Sequence, residues 1–298
     1  MPRTTTVPFH IPVSTYRRQL LLLVRQALDE DIGSGDLTAE AMNLGRQSGE
    51  VILVAKSPGV LAGADAFEAT FRHLDRNCRF EWSVEEGARF HADKTVARIQ
   101  GRAFALLTAE RTAINFLAHL SGIATATRHL ADLIPKGRTR LLDTRKTTPG
   151  WRYLEKRATV IGGAVNHRLG LHDALMVKDN HIGAVGDFGE TVWRALKAAR
   201  GRQLICEIHD LSHVQDALMI GASWLLLDNF PVTRLRRAVT LIRQFERQLK
   251  SRVIAEASGN VTARNIAAIA RCGPDYISSG SITHSAPAVD FSMRWVSR

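Results

Sequence analysis

Cationic and carboxylate side chains recur along the second half of this sequence at the ends of short apolar runs. Arg145 and Lys146 follow the apolar pair 141–142 and are succeeded by Thr147 and Thr148. Two adjacent cations at the end of a buried strand repel one another, so their presence there favours an anion between them. The pattern indicates the binding of carboxylate or phosphate groups.

The same pattern continues downstream. His167 and Arg168 form a basic pair, Lys178 closes the next apolar run, and Glu207 and Asp228 lie near the ends of two further runs. Arginine suits bidentate binding of carboxylate or phosphate, whereas lysine acts as a mobile point charge. An ordinary surface cation, a helix cap or a buried ion pair explains any one of these residues taken singly. Together they favour one site for several anions, in which two carboxylates are suited to hold Mg²⁺ or ribose hydroxyls.

Two turns rich in small residues complete the pattern, at 258–260 and 278–281. Ser258, Gly259 and Gly280 offer hydroxyl and backbone N–H groups to a phosphate, and a helix is predicted to begin soon after residue 260. Alone, such turns are a weak signal. As the last two strand–loop units they occupy the usual phosphate position of α/β barrels.

Two histidines four residues apart, His209 and His213, have the spacing of metal ligands on one helix face. The sequence offers no third ligand at a matching spacing, so we interpret both as ordinary solvent-exposed histidines.

Strand and helix patterns alternate from about residue 108 onward, which predicts a parallel sheet with helical crossovers. The predicted strands are 139–143, 174–178, 203–208, 223–228, 252–257 and 275–279, and the predicted helices lie near 151–162, 187–199, 211–220, 232–249 and 262–271. Six strands are too few for a closed eightfold barrel, so an open or incomplete α/β barrel is favoured over a doubly wound sheet. Nearly every unusual polar residue lies at the C-terminal end of one of these strands, where barrels and open α/β sheets form their active sites.

The first 112 residues predict a separate mixed α/β region. Helices are predicted at 14–31 and 64–74, a strand at 51–55, short strands between 80 and 99, and a further helix at 110–120.

Composition restricts the class of protein. The 298 residues carry a formal net charge of +11, and the basic residues are spread along the chain. The densest basic region, 234–252, has apolar residues at helical spacing and is interpreted as a solvated amphipathic helix rather than a nucleic-acid-binding surface.

No apolar run approaches the ~18 residues of a membrane span and no secretion signal is evident. Three widely separated cysteines predict no disulfide framework and a reducing cytoplasm.

Several segments resemble quinolinate phosphoribosyltransferases, and the similarity runs from about residue 16 to 295. The segments that carry it are Glu30–Thr38, Glu110–Asn115, Asp143–Gly150, Asn166–Arg168, Lys178–Ile182, Leu227–Asn229, Glu256–Gly259 and Thr283–Pro287. They occur in the order typical of that family.

The resemblance implies an enzyme that joins quinolinate to phosphoribosyl pyrophosphate with Mg²⁺, releases pyrophosphate and CO₂, and forms nicotinate mononucleotide for NAD biosynthesis. It implies an N-terminal α/β sandwich domain at 1–112, an incomplete α/β barrel at 113–280, and a C-terminal segment, 281–298, that returns to the first domain. It also implies a cytoplasmic homodimer whose active sites are shared between subunits, with no nucleic-acid or membrane partner.

The resemblance also assigns roles by position. Arg145, His167 and Arg168, with Thr144, are implied to bind quinolinate, and Arg111 to reach into the partner subunit's site. Lys146 and Lys178 are implied to act near both substrates, and Glu207 and Asp228 to hold the metal and ribose hydroxyls. Ser258, Gly259 and Gly280 are implied to bind the 5-phosphate. The sequence departs from the family pattern at Ile205, where an acid is common, and at Asn260, Ser279 and Ser281, where smaller or apolar residues are usual.

Two alternatives remain open at this point. One is a paralogue of the same fold, linked to molybdenum transport, that acts on a different aromatic acid; the segment 178–181 favours the quinolinate enzyme. The other is a basic nucleic-acid-binding protein, which predicts a strongly salt-dependent affinity for DNA or RNA.

Overall fold

The computed structural model describes residues 9–296 of the chain. The helices are α1 Val13–Ile32, α2 Leu37–Ala41, α3 Ala64–Leu74, α4 Ala103–Thr108, α5 Glu110–Asp132, α6 Arg152–Ile161, α7 Asp179–Val185, α8 Phe188–Ala198, α9 Leu211–Ile220, α10 Val232–Leu249, α11 Ile266–Ala270 and α12 Ser281–His284, with a short 3₁₀ turn at Leu44–Arg46. The strands are β1 Ser48–Ala55, β2 Gly59–Val60, β3 Arg79–Trp82, β4 Arg89–Phe90, β5 Thr95–Arg102, β6 Arg140–Leu142, β7 Leu175–Val177, β8 Leu204–Ile208, β9 Trp224–Asp228, β10 Ile254–Ser258, β11 Tyr276–Ser278 and β12 Phe291–Trp295.

The described residues form two units. The barrel unit comprises 9–10, 129–146 and 164–281, and the sheet unit comprises 11–128, 147–163 and 282–296. The domain boundary predicted after residue 112 stays a prediction. That position lies in the first turn of α5, whose residues up to 128 pack with the sheet unit.

Six parallel strands form the sheet of the barrel unit, in the order β6-β11-β10-β9-β8-β7. Strands adjacent in the sequence are adjacent in the sheet, except that β6 pairs with β11 and leaves a gap beside β7. A parallel bridge from Val165 to Leu142 lies at that open edge. All six predicted strands are present, and the predicted open α/β barrel is confirmed.

The strands of this sheet are apolar because they are covered on both faces. In β9 the residues Trp224–Leu227 are all buried, and in β8 Leu204–Cys206 are buried. Parallel strands in such surroundings have nearly continuous apolar sequences, with polar residues deferred to their ends. This arrangement places the first polar residue after each strand at one edge of the sheet.

The predicted amphipathic helix at 232–249 is confirmed as α10. Its buried residues Leu235, Ala238, Val239 and Ile242 recur at helical spacing, and its arginines occupy the remaining positions. A helix with one apolar stripe packs that stripe inward and solvates its charges. The basic density of this region therefore lies mainly on the exposed face of the helix, with the exception of Arg243, which is 20% exposed and paired with Glu246 and Asp275.

The helix predicted near 262–271 is shorter than expected, because α11 begins only at Ile266. Asn265 explains the late start. Its side-chain oxygen accepts a hydrogen bond from the Thr262 N–H at 2.8 Å, and its amide donates to the Asn260 carbonyl at 2.9 Å. These bonds hold the segment in a turn, so no long helix starts directly behind the 258–260 loop.

The sheet unit contains a four-stranded antiparallel sheet in the order β12-β1-β5-β3. Strand β12 pairs with β1 from Val51 opposite Trp295 to Ala55 opposite Phe291, so the C-terminal segment joins the N-terminal sheet. The core of this unit includes Leu53, Phe67 and Ile99. Helices α1 and α3 confirm two predicted helices, and α5 extends the third to Asp132.

Two expectations from the composition concern membrane-spanning helices and the cysteine thiols. Across residues 9–296, no helix combines the length and the apolar character needed to cross a membrane. The thiols of Cys78, Cys206 and Cys272 are buried and not joined in disulfides. Burial raises the pKa of Cys206 to about 12, which fits its interpretation as a small apolar residue within β8.

Candidate active site

The carboxyl ends of the parallel strands carry most of the residues that the sequence singled out. We call this group the strand-end site; it consists of 143–146 after β6, 166–168 at the open edge, Lys178 after β7, Glu207 in β8, Asp228 in β9, 258–259 after β10 and Gly280 after β11. The register aligns Ser258 with Asp228 and Ser278 with Leu142, so these ends lie at one edge. Residues more than 130 positions apart in sequence are thereby collected on one unit of the fold.

Arg145 and Arg168 are close enough to influence each other electrostatically. Arg168 is only 6% exposed, and burial lowers its pKa, as does the charge of Arg145, whereas the charges of Asp173 and Glu207 raise it. The Arg168 guanidinium donates to the Ala174 carbonyl at 3.0 Å, but among the described residues the Nε atoms of both arginines have no hydrogen-bond partner. Two cations with unsatisfied buried donors favour an anion between them.

Asp143 fixes the backbone that carries these arginines. Its carboxylate is fully buried and accepts hydrogen bonds from the Asn166 side-chain amide at 2.6 Å and from the His167 N–H at 2.8 Å. Hydrogen bonds to a buried charged acceptor are stronger than neutral ones. Asp143 therefore ties the segment after β6 to the segment 166–168, and the relative positions of Arg145 and Arg168 depend on it.

The His167 ring faces the barrel interior. It is 4% exposed, its Nδ1 accepts the Arg168 N–H at 2.7 Å, and its Nε2 lies 3.4 Å from the Glu256 carboxylate. The Trp224 indole also donates to Glu256, at 2.7 Å. Burial acts to raise the pKa of Glu256, but the His167 charge and these hydrogen bonds lower it below its ordinary value. The buried carboxylate is thus an interior anchor for the His167 ring.

Glu256 is a site residue to which no role was assigned from the sequence. The available signal was an acid inside the apolar run 252–257, where a buried carboxylate requires a partner. The identity of that partner, His167, depends on the open edge of the barrel and could not be deduced from spacing.

A group of acids lies on the β7–β9 side of the site. The Lys178 amine donates to Glu207 at 2.8 Å. Burial raises the pKa of Asp228, and the nearby charge of Glu207 raises it further, while His209 and Lys178 act in the opposite direction. The two carboxylates that the sequence predicted to act together are therefore electrostatic neighbours, and a cation beside them would relieve their repulsion.

The interpretation of His209 as an ordinary solvent-exposed histidine is wrong. Its Nε2 lies 3.0 Å from Asp179 and 3.3 Å from Glu207, and its Nδ1 lies 3.7 Å from Asp228. His213 lies elsewhere and stacks on the ring of Phe188, with ring centroids 4.2 Å apart. Asp179 belongs to the unpredicted helix α7, so its contact with His209 could not be deduced from spacing in the sequence.

The loop after β10 depends on a glycine. Gly259 has a φ of +93°, and a Cβ atom there would lie 2.2 Å from the Asn229 side-chain oxygen. Asn229 donates its N–H to the Ser258 carbonyl at 2.8 Å, and Asn260 donates its amide to the Asn229 side chain at 3.0 Å. The departure at Asn260 therefore links the loops that follow β9 and β10.

The loop after β11 is held by a second polar contact, because the hydroxyls of Ser279 and Ser281 lie 2.8 Å apart across Gly280. The serines that depart from the family pattern are thus bonded to each other. In the segment after β6, the Thr144 hydroxyl accepts the Lys146 N–H at 3.0 Å, which turns the backbone at this point.

Arg111 is the one site residue proposed from the sequence that belongs to the sheet unit. It lies in the first turn of α5 and is exposed.

The fold and the site together define a class: an open α/β barrel that gathers buried arginines and a neighbouring group of acids at its strand ends. Comparison with known proteins identifies the family within this class. Residues 36–121 match the quinolinate phosphoribosyl transferase N-terminal domain and residues 123–294 match the C-terminal domain. The chain belongs to the quinolinate phosphoribosyltransferase family.

Individual relatives agree with this assignment. A probable nicotinate-nucleotide pyrophosphorylase (carboxylating) of Bacillus subtilis is 39% identical over 92% of this chain and 93% of its own length. Among solved structures, NadC from Streptococcus pyogenes is 36% identical with a TM-score of 0.87, covering 97% of this chain and 100% of its own. The nicotinate-nucleotide pyrophosphorylase from Francisella tularensis is 34% identical with a TM-score of 0.88, covering 99% and 100%.

Replacing Gly259 by alanine tests the 258–260 loop. We expect Gly259→Ala to raise the KM for phosphoribosyl pyrophosphate at least tenfold, because the new methyl group displaces Asn229, the neighbour of Asp228. Gly201→Ala is the matched control, since Gly201 has a φ of +84° but open space around it. That control carries only the backbone strain of about 1 kcal/mol. Equal KM values in the two variants would contradict a role for this loop in substrate binding.

Proposed function

We propose that this protein transfers the phosphoribosyl group of phosphoribosyl pyrophosphate to quinolinate, with loss of CO₂ and pyrophosphate, to give nicotinate mononucleotide for NAD biosynthesis. Membership of the quinolinate phosphoribosyltransferase family supports this reaction. The observation that carries it at the site is the pair Arg145 and Arg168, whose buried Nε atoms lack partners among residues 9–296. A pyridine ring with two adjacent carboxylates supplies the anions that such a pair requires.

In this proposal Arg145 and Arg168, with Thr144, bind the carboxylates of quinolinate. Arginine forms paired N–H to carboxylate hydrogen bonds that fix the orientation of a planar acid. His167 acts at the edge of this clamp, because its ring is oriented by Glu256 and its Nδ1 by the Arg168 N–H. Lys146 and Lys178 add positive charge where the two substrates meet.

The sugar and its phosphate occupy the other strand ends. Ser258, Gly259 and Gly280 offer hydroxyl and backbone groups to the 5-phosphate, and the positive φ of Gly259 allows the backbone to approach closely. Glu207 and Asp228 accept hydrogen bonds from ribose hydroxyls. Their negative charge also stabilises the positive charge that develops at the ribose C1 as the pyrophosphate departs.

We propose Mg²⁺ as the metal, which the carboxylates of Glu207 and Asp228 would hold. The donor set fits a hard divalent cation, since carboxylate oxygens are its preferred protein ligands. Burial and the nearby charge of Glu207 raise the pKa of Asp228, so a cation held beside the two acids would reduce their repulsion. When bound, the ion would offset the charge of the leaving pyrophosphate.

The reaction depends more on the stabilisation of developing charge than on proton transfer. The pyridine nitrogen forms a bond to C1 while the bond from C1 to the pyrophosphate oxygen breaks. The new N-glycosidic bond leaves the ring cationic, so the electron pair of the breaking bond to the 2-carboxylate moves into the ring and CO₂ departs. A proton then replaces the lost carboxylate. The cations beside the pyridine ring hold quinolinate in place during both formation of the N-glycosidic bond and loss of CO₂.

The active form is proposed to be a homodimer in which Arg111 completes the partner subunit's site. Arg111 is exposed in the first turn of α5, which leaves its side chain available to a second subunit. The proposed location is the cytoplasm, which agrees with three thiols not joined in disulfides.

The quinolinate clamp is tested by Arg145→Ala, with Arg140→Ala as the matched control. Arg140 is exposed and begins the same strand, β6, whereas Arg145 follows the end of that strand. We expect Arg145→Ala to lower kcat/KM for quinolinate at least 100-fold, because loss of a buried charged hydrogen bond costs about 3 kcal/mol. Arg140→Ala should stay within about twofold of the unmodified protein.

Nicotinate mononucleotide formation is the readout for both variants. Normal kinetics in Arg145→Ala would exclude the clamp. Absence of product from quinolinate in the unmodified protein, together with product from another aromatic acid, would assign the chain to a different substrate.

Shared active sites are tested by mixing two inactive variants, Arg111→Ala and Lys146→Ala. If each site combines Arg111 of one subunit with Lys146 of the other, every hybrid dimer contains one intact site, and statistical mixing should restore about a quarter of full activity. Subunit exchange is verified with differently tagged chains. No recovery in a verified mixture would argue that both residues act within one subunit.

A further inference from the structure

We propose that Glu155, a residue of α6 outside the strand-end site, is a positioning residue for Lys146. It acts through the backbone of Thr148, which belongs to the same loop as Lys146. The effect on catalysis rests on the proposed function, whereas the anchoring of the loop does not. No role was assigned to Glu155 from the sequence.

The Glu155 carboxylate is fully buried, and both of its oxygens have partners. Oε2 accepts the Thr148 N–H at 3.1 Å, and Oε1 lies 2.8 Å from the ring nitrogen Nε2 of His119 on α5. A carboxylate removed from water is costly unless hydrogen bonds satisfy it. Leu154 and Ala158 already supply α6 with apolar side chains for the core. The acid therefore contributes through its hydrogen bonds rather than through apolar packing.

The backbone of Thr148 is bonded through both of its polar groups to the start of α6. Its N–H donates to Glu155, and its carbonyl accepts the Trp151 N–H at 3.0 Å. Proline and glycine occupy the two central positions of this turn, and the Gly150 φ of +83° is that of a type II turn. Thr148 is therefore a fixed end of the loop that carries Lys146.

Lys146 has little freedom relative to this fixed end, because a single residue, Thr147, separates it from Thr148. The Thr147 hydroxyl accepts a hydrogen bond from Arg152 Nε at 3.1 Å, which ties the intervening residue to α6 as well. A displacement of the Thr148 backbone therefore displaces Lys146. A misplacement of about 1 Å at a group that acts on the substrate can lower the rate about 100-fold.

Helix α6 is a firm base for Glu155, because it is tied to α5 near both of its ends. Near its start Trp151 stacks on Phe116, with ring centroids 4.8 Å apart. At its far end the Arg128 guanidinium donates to the Gly162 carbonyl at 2.9 Å. Groups supported by packed helices are held more precisely than groups on a free loop.

Two replacements of similar size test the proposal. Glu155→Met keeps the volume but provides only a weak acceptor, so the Thr148 N–H loses its bond. Glu155→Gln keeps an oxygen for that N–H, and its amide can donate to His119 in the tautomer with an unprotonated Nε2. We expect Glu155→Met to lower kcat/KM for quinolinate at least tenfold and Glu155→Gln to stay within about threefold of the unmodified chain.

Hydrogen–deuterium exchange of the peptides that cover 144–150 measures the anchor without any substrate. Exchange of this segment should be faster in Glu155→Met than in Glu155→Gln or the unmodified chain, because the Thr148 amide is released. Glu155→Asp is the second variant, since it keeps the charge but withdraws the carboxylate by one methylene. It should change both exchange and kcat/KM in the same direction as Glu155→Met.

Leu154→Ala is the matched control, because Leu154 is buried next to Glu155 and its side chain has no polar group to bond the loop. It should lower Tm more than Glu155→Met does, as expected for a shortened core side chain. Its kcat/KM should stay within about threefold, and its exchange at 144–150 should match that of the unmodified chain.

Unchanged kinetics or unchanged exchange at 144–150 in the folded Glu155→Met and Glu155→Asp variants would overturn the proposal. An equal loss of activity in Glu155→Gln would assign the effect to the charge, and an equal loss in Leu154→Ala would assign it to general destabilisation; either result rejects the anchor.

The two proposals fail separately. Absence of nicotinate mononucleotide from the unmodified chain would reject the reaction, while faster exchange at 144–150 confined to Glu155→Met and Glu155→Asp would still support the anchor. Product formation with normal kinetics in these two variants would reject the positioning role and leave the reaction intact.

Discussion

Two guanidinium groups held near each other under partial burial set the main constraint on this structure. Arg168 is almost wholly buried, and the charge of Arg145 adds to the desolvation that lowers its pKa. Such an arrangement is costly unless other contacts hold it in place, and here Asp143 and the Ala174 carbonyl do so. The free energy of folding thereby maintains a site that is unfavourable without an anion, which is a common feature of binding sites arranged before the ligand arrives.

The acidic side chains lie along the same row of strand ends as the arginines, but after different strands. Cations dominate after β6 and at the open edge, whereas acids dominate at the ends of β8 and β9, where Lys178 from the neighbouring β7 pairs with Glu207. A dicarboxylic acid and a sugar that becomes positively charged at C1 have complementary requirements. The order of the strands thus places the arginines and the acids after different strands of one sheet.

Much of this could be predicted from the sequence because parallel strands are apolar until they end. The six runs were found from their composition, and the residues after them were found because polar side chains interrupt that composition. The open barrel, the amphipathic α10 and helices α1 and α3 follow from the same periodicity.

The remainder depends on tertiary contacts. Helix α7 is seven residues long and has no buried residue, so it leaves no apolar stripe to detect. The late start of α11 is due to side-chain hydrogen bonds of Asn265. His209 meets Asp179 only because β7 and β8 are neighbours, and Glu256 meets His167 only because the barrel is open beside β6. Local sequence patterns do not encode these pairings.

The crystal structure of the protein with quinolinate tests the central claim most directly. We predict that both carboxylates of the acid lie between Arg145 and Arg168, with the Nε atoms of the two arginines donating at about 2.8 Å. Quinolinate bound away from this pair, or guanidinium groups turned apart toward solvent when the acid is present, would contradict it.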